Sequence, residues 1–255
     1  MATPFWKGVI SFGMVAIPVK MSIAIETKTL TFHYLHKKCH TRPKQVLYCA
    51  KDNEYFNTSE TVRGYEYSKN QYVIFEEDDF EKVPIRTTHS IDIVGFVKVK
   101  EIDTIYYSDC HYLEPEKLGE KPFALLKTVL EKTGMVGIAK VTFQRREHLC
   151  CLRPLDKILV LQTMHYKQDI LPDYDLAPPA QKLTAAELEM ATKLVEAMTT
   201  TFKPEEYHDE YSLALQKMVE SKLKGVEIKT PKVEKVEFED LMTALKESVA
   251  AAGKK

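Results

Sequence analysis

The sequence predicts a mixed α+β protein: a β-barrel core, a long protruding β-ribbon and a C-terminal helical arm. Three observations predict it. Up to Leu171, short runs rich in β-branched and aromatic residues alternate with the period of strands, with one helical pattern among them, which favours a closed or nearly closed barrel. Within that part, His33 to Tyr67 has no helical period, is too long for a turn and holds one glycine, Gly64, so it is not a flexible tether. After Leu171 the pattern becomes helical.

The elements follow in order. Val9 to Val19 and Met21 to Ile25 read as strands, with Pro18 marking a break or an edge. In the ribbon, Val46/Tyr48 and Tyr55/Phe56 mark short extended pieces. Gln71 to Phe75 reads as a strand after it, and the acidic EEDDFEK run as a solvated loop or a helix start. Ile91 to Lys100 alternates, with Gly95 as a bulge, and Ile105 to Tyr107 and His111 to Leu113 read as shorter strands. A helix over Pro122 to Lys132 is bounded by a first-turn proline and by Gly134, and Phe123, Leu126, Val129 and Leu130 form its expected buried stripe. Val136 to Phe143, Glu147 to Leu152 and Lys157 to His165 return to strand patterning, with QRRE as a turn. Of the adjacent Cys150 and Cys151, one is expected to point into the core.

Residues 172 to 183, rich in proline, read as a linker or arm. Thr184 and Glu187 make a capping box ahead of an apolar face formed by Leu188, Ala191, Leu194, Val195 and Met198. A second helix from about Pro204 carries Tyr207, Tyr211, Leu215 and Met218 and ends at Gly225. Phe238, Leu241, Met242, Leu245 and Val249 outline a third. These faces pack either on their own barrel or on a partner subunit. The expected divisions are 1–171 for the core, with the ribbon at about 33–67; 172–225 for the linker and helical arm; and 226–255 for a second linker and a short helix.

At 255 residues with 44% hydrophobic side chains, the chain can bury a substantial core. Its net charge of -1 hides an uneven distribution. Residues 1 to 63 hold nine Lys and Arg against four Asp and Glu, and residues 121 to 170 hold the same ratio, while the intervening and final blocks are acidic. Two basic blocks that meet would give a positive face on a neutral protein; the alternative is ordinary scatter of charge. Five cysteines without framework spacing suit a reducing cytoplasm, and no signal or membrane-spanning run is expected.

Catalytic motifs are absent from the sequence: it holds no glycine-rich phosphate loop, nucleophile elbow or His-Glu-x-x-His pattern, and no enzyme and no cofactor are expected. The metal candidates are Cys39, His40 and Cys49, with His36 and Asp52 beside them; the paired Cys-x-x-Cys spacing of a strong zinc site is incomplete, and plain ribbon residues are the alternative. What remains is basic. Lys37, Lys38, Arg42, Lys44, Lys51 and Arg63 in the ribbon, with Lys140, Arg145, Arg146 and Arg153 in the second basic block, suit the neutralisation of phosphates irrespective of base sequence.

Several blocks in register then identify a resemblance. WKGVISFGMVAIPVKMS, FHYLH, GYEY, IDIVGFV, YYSDCHYLEPEK, FALLKTVLEKTGMVGIAKV and REHLCCLRP resemble the prokaryotic Ku family from about Phe5 to about Gly225. The resemblance implies a homodimer whose barrels and crossing arms form a ring around a double-stranded DNA end, bound through the sugar-phosphate backbone for non-homologous end joining. It places His33 to Tyr67 at the DNA-encircling bridge and implies an end-binding factor located in the bacterial cytoplasm at the nucleoid. The segment FKPEEYHDEYSLALQKMVESKLKG resembles the family's C-terminal region that engages the ATP-dependent DNA ligase D, which implies partner contacts at Phe202, Pro204, Tyr207, Tyr211, Leu215 and Met218. The chain departs from many relatives in ending with a short helix and GKK where a lysine-rich tail would stand. A metal-dependent nuclease and a dimeric scaffold for an acidic protein are the alternatives from other classes.

Overall fold

The computed structural model describes residues 3–82, 89–144, 146–172, 182–225 and 241–252, so Arg145, most of the 172–183 segment, the 226–240 segment with Phe238, and the final GKK lie outside the described residues. The chain forms two compact units, residues 1–27 with 33–172, and residues 28–32 with 173–255.

The first unit holds a closed seven-strand barrel. Its strands are β1 (Trp6–Phe12), β2 (Val15–Ile23), β7 (Ser90–Lys98), β8 (Tyr107–Pro115), β9 (Met135–Phe143), β10 (Arg146–Leu155) and β11 (Ile158–Met164). They run around the wall in the order β1, β2, β8, β11, β10, β9, β7. Pairing is antiparallel until β7 closes on β1 in parallel, at Ile10 with Ile91. Two further hairpins intervene in the chain between β2 and β7: β3 (Leu47–Cys49) with β4 (Glu54–Phe56), and β5 (Arg63–Ser68) with β6 (Gln71–Phe75). The short helix α1 (Glu77–Glu81) follows.

Alternation explains the barrel core. Ile10 lies opposite Ile17, Met21 opposite Leu113, and Leu152 opposite Leu161, all fully buried, because every second side chain on each strand faces inward. Burying a side chain of this size contributes about 1.5–3 kcal/mol. Helix α2 (Glu120–Thr133) adds Phe123, Leu126 and Leu130 to the same cluster. Val129, expected in that stripe, is largely exposed, since positions 123, 126 and 130 already define the inward face and 129 falls on its flank. The helix stops at Gly134, which takes a left-handed φ of 65°.

Several boundaries differ from expectation. The first turn falls at Gly13, with φ 57°, and Pro18 sits inside β2 opposite Val9. The Pro18 carbonyl accepts from the Glu116 N–H at 2.9 Å, so its backbone edge faces away from β1 and its missing N–H breaks no bond to that strand. Ile105 does not begin a strand: residues 104–106 form a 3-10 turn, and one strand runs from Tyr107 to Pro115. Gln71–Phe75 pairs with Arg63–Ser68 as a hairpin of its own, so the paired region beyond the barrel extends past Tyr67. The bulge on β7 falls between Ile93 and Gly95, as the sequence indicates. Cys150 and Cys151 are both fully buried; Cys150 joins the core cluster, while Cys151 on the opposite face interacts with Tyr107.

The second unit contains α3 (Ala185–Met198), α4 (Glu210–Leu223) and α5 (Leu241–Ala252), with α3 and α5 in contact. The Thr184 capping box forms: the Glu187 N–H donates to Thr184 Oγ1 at 3.3 Å and the Thr184 N–H donates to Glu187 Oε2 at 2.7 Å. Pro204 opens a separate 3-10 turn, Pro204–Glu206, and α4 starts at Glu210 behind the N-cap Asp209, which accepts from the Ser212 N–H at 3.0 Å. Among the described residues, no helix is long and apolar enough to cross a membrane.

Candidate nucleic-acid interface

Five cations of the ribbon stand on its surface. Lys37, Lys38, Arg42 and Lys44 lie fully on the surface ahead of β3, and Lys51 lies on the turn between β3 and β4. None of the five forms an ion pair among the described residues. Local structure is built from turns: the His36 N–H donates to the Thr41 carbonyl at 2.8 Å, and Tyr48 Oη donates to Asn53 Oδ1 at 2.6 Å across the hairpin end. Tyr48 and Tyr55, paired in register, bring their ring centroids to 5.2 Å.

Arg63 is placed differently. Its guanidinium stands 3.3 Å from Glu77 Oε1 and 5.0 Å from the centre of the Phe80 ring, so it ties β5 to α1. Sequence reading missed Glu77 as its partner, because no local spacing links positions 63 and 77. It also missed Lys69, at the tip of the β5–β6 hairpin next to the positive-φ Asn70. The pattern of alternating Tyr65, Tyr67 and Val73 around a Lys-Asn turn was the available signal.

The second basic block is not a uniform positive face. Lys140 Nζ donates to Glu147 Oε1 at 2.8 Å, and Tyr166 Oη donates to the same oxygen at 3.3 Å. The bond from Lys140 holds the Glu147 carboxyl below its usual range, and Glu147 in turn raises Lys140. Arg153 Nε donates to Gln162 Oε1 at 3.2 Å, laying its side chain along the barrel wall. Arg146 lines a cavity of about 430 Å³ at one end of the barrel, together with Asp109, His111, Phe143, His148 and Tyr166. There Phe143 and His148 stack with centroids 4.1 Å apart, and the His111 ring meets Phe143 edge-on at 5.6 Å. Among the described residues, His111 Nδ1 and His148 Nε2 are buried without hydrogen-bond partners. Burial holds both imidazoles below their ordinary range.

The metal candidates come as two pairs. His36 Nδ1 is 3.0 Å from Cys39 Sγ, and Cys49 Sγ donates to Asp52 Oδ2 at 3.0 Å. His40 takes the left-handed position of its turn, φ 54°. Among the described residues, no three His, Cys, Asp or Glu groups converge as a metal cluster.

The residues expected to meet a protein partner are exposed. Phe202 is 74% and Tyr211 73% accessible, Tyr207 and Met218 are exposed and Leu215 is half-buried, while Phe202 and Tyr207 place their rings 5.6 Å apart beside Pro204. Helix α4 buries no residue.

Comparison with known proteins bears on this arrangement. Residues 11–190 match the family described as "Ku: Ku70/Ku80 beta-barrel domain". The chain is 41% identical to the "Non-homologous end joining protein Ku" of Solibacter usitatus over 256 residues, covering 100% of this chain and 96% of that protein. It is 42% identical to the protein of the same name from Archaeoglobus fulgidus over 249 residues, covering 96% and 98%. The corresponding protein of Koribacter versatilis is 36% identical over 253 residues, covering 98% and 87%.

Proposed function

Given that the chain belongs to the Ku β-barrel family, we propose that it binds ends of double-stranded DNA independently of sequence and serves non-homologous end joining as a binding factor and not as a catalyst. One observation carries the proposal furthest: five ribbon cations, Lys37, Lys38, Arg42, Lys44 and Lys51, stand exposed and unpaired among the described residues on a segment outside the barrel. Cations of this kind neutralise backbone phosphates and read no bases.

In the proposed assembly, two copies form a ring, the ribbon segments close it, and the duplex end threads through. The exposed apolar side chains of the helical unit support a further protein contact, with a second copy or with the ATP-dependent DNA ligase D at Phe202, Pro204, Tyr207, Tyr211, Leu215 and Met218. A protein working on chromosomal ends belongs in the cytoplasm at the nucleoid. Sedimentation with a DNA hairpin having one free end tests the assembly, because it reports subunit count and end dependence together. One dimer on each hairpin, and none once the free end is blocked, is the expected result; monomers bound regardless of the block contradict it.

A further inference from the structure

We propose that His36, Cys39, Cys49 and Asp52 bind one zinc ion, which fastens the two turns of the ribbon to each other. The proposal begins from a repeated piece of backbone. In the first turn, ligand-type residues stand at 36 and 39, residue 40 has φ 54°, and its N–H donates to the His36 carbonyl at 2.7 Å. In the second, they stand at 49 and 52, residue 53 has φ 58°, and its N–H donates to the Cys49 carbonyl at 2.8 Å. The same turn is thus built twice, each time with two zinc-ligand side chains three residues apart and 3.0 Å from each other. Two such pairs supply one imidazole, two thiolates and one carboxylate, four donors of the types that bind zinc. Two donors on a tetrahedral zinc lie about 3.5 Å apart, given Zn–S of about 2.3 Å and Zn–N of about 2.0 Å. Each pair therefore needs to open by only a small amount.

A second observation points to a ligand. The β3–β4 hairpin has three residue pairs, and Val46, Leu47, Tyr48 and Tyr55 beside it remain exposed. An isolated two-stranded hairpin is marginal in water, and small segments without a core rely on disulfides or metals. The chain's cysteines are all free thiols. Metal binding is the device that fits the side chains present, and because the two pairs stand as separate half-sites, the ion would draw them together and couple its binding to the folding of the ribbon.

The surroundings are consistent with this role. Thr41 Oγ1 lies 2.9 Å from Cys39 Sγ, a hydrogen-bonding neighbour of the kind that orients a ligand. The carboxylate and two thiolates exceed the charge of the ion, and Lys37, Lys38 and Lys51, the lysines lying between the ligands of each turn, offset the excess. His36 and not His40 is the proposed histidine ligand, since His40 occupies the left-handed corner of the turn, the position that Asn53 takes in the second turn. The zinc would also fix the spacing of the five unpaired ribbon cations.

The test is metal content of the purified full-length chain, followed by cobalt(II) titration after chelation. Close to one zinc per chain and the visible spectrum of tetrahedral cobalt with thiolate charge transfer are expected. Cys39→Ser and Cys49→Ser should each lower retained zinc at least about tenfold, while His40→Ala retains it and the barrel's near-ultraviolet circular dichroism is unchanged in all three. A chain that retains no zinc and gives no such cobalt spectrum, or serine variants that bind as well as the parent, would overturn the proposal. Because the readout is metal stoichiometry, it stands or falls independently of DNA binding.

Discussion

Lys140 on β9 donates to Glu147 on β10 at 2.8 Å, across a pair of barrel strands. That bond separates Lys140 from the ribbon cations Lys37, Lys38, Arg42, Lys44 and Lys51, which have no such partner among the described residues. Lys140→Ala is therefore expected to change DNA affinity little, and to change the slope of log K against log salt by well under the value of about 0.9 that one phosphate contact carries. Binding titrations at several salt concentrations measure it.

The ribbon variants should behave otherwise. Replacing Lys38, Arg42 and Lys44 together by glutamate is expected to weaken binding to all duplex sequences alike and to reduce the salt slope by about 2.7, since each lost phosphate contact removes about 0.9. An unchanged slope would remove these residues from the interface.

Acid should loosen the barrel end. Burial is the main cause of the lowered pKa at both His111 and His148; Asp109 opposes it at each, a backbone hydrogen bond opposes it at Leu161 and at Phe143 respectively, and Arg146 adds to the lowering at His148. An imidazole whose pKa is lower in the fold binds protons more readily in the unfolded chain. Its contribution to stability is whole above the unfolded value of about 6.5 and is lost as pH falls through the folded value. Tm is expected to fall as buffers are taken below about pH 6.5, and His111→Phe with His148→Phe should flatten that fall. A parent Tm independent of pH over this window contradicts the assignment.

Gly8 on β1 tolerates no side chain. A Cβ there would meet the His89 carbonyl oxygen at 2.0 Å and the Trp6 ring at 2.4 Å, and the same carbonyl accepts from the Val9 N–H at 2.9 Å. Gly8→Ala is expected to lower stability by about 1–3 kcal/mol, the usual cost of overpacking. Urea denaturation reads the change, and a loss within error would show that the β1–β7 seam gives way easily.

The barrel and the helical unit make separate demands. A chain ending at Leu171 keeps the closed barrel strands but loses α3, α4 and α5. It is expected to sediment as a monomer with a cooperative thermal transition. A stable dimer of residues 1–171 would place the subunit contact on the barrel.

What was legible in the sequence follows from how local each signal is. Barrel strands such as Ile91–Lys98 and helix α2 announce themselves through alternation, Gly134 and a three-to-four-residue stripe, and the closed barrel with its flanking hairpins follows from them. Pro18 misled because a proline's effect depends on which neighbour its backbone edge faces, a tertiary fact. The exposure of Val129 turned on a small rotation of one helix. At the candidate interface, the ribbon lysines were legible as charge, whereas the partners that occupy Arg63, Lys140 and Arg153 lie on other strands or 14 residues away in α1, and no spacing rule finds them. The twin turns at 36–40 and 49–53 were hidden for a different reason: their ligand types are mixed, so the familiar Cys-x-x-Cys spelling is missing while the backbone geometry repeats.

The central claim is that the protein encloses a DNA end, and a competition assay addresses it directly. A labelled short linear duplex is bound first, then challenged with equal masses of unlabelled linear duplex or of covalently closed circle of the same sequence. Displacement by the linear competitor, with little by the circle, is the predicted result; equal displacement by both would contradict threading.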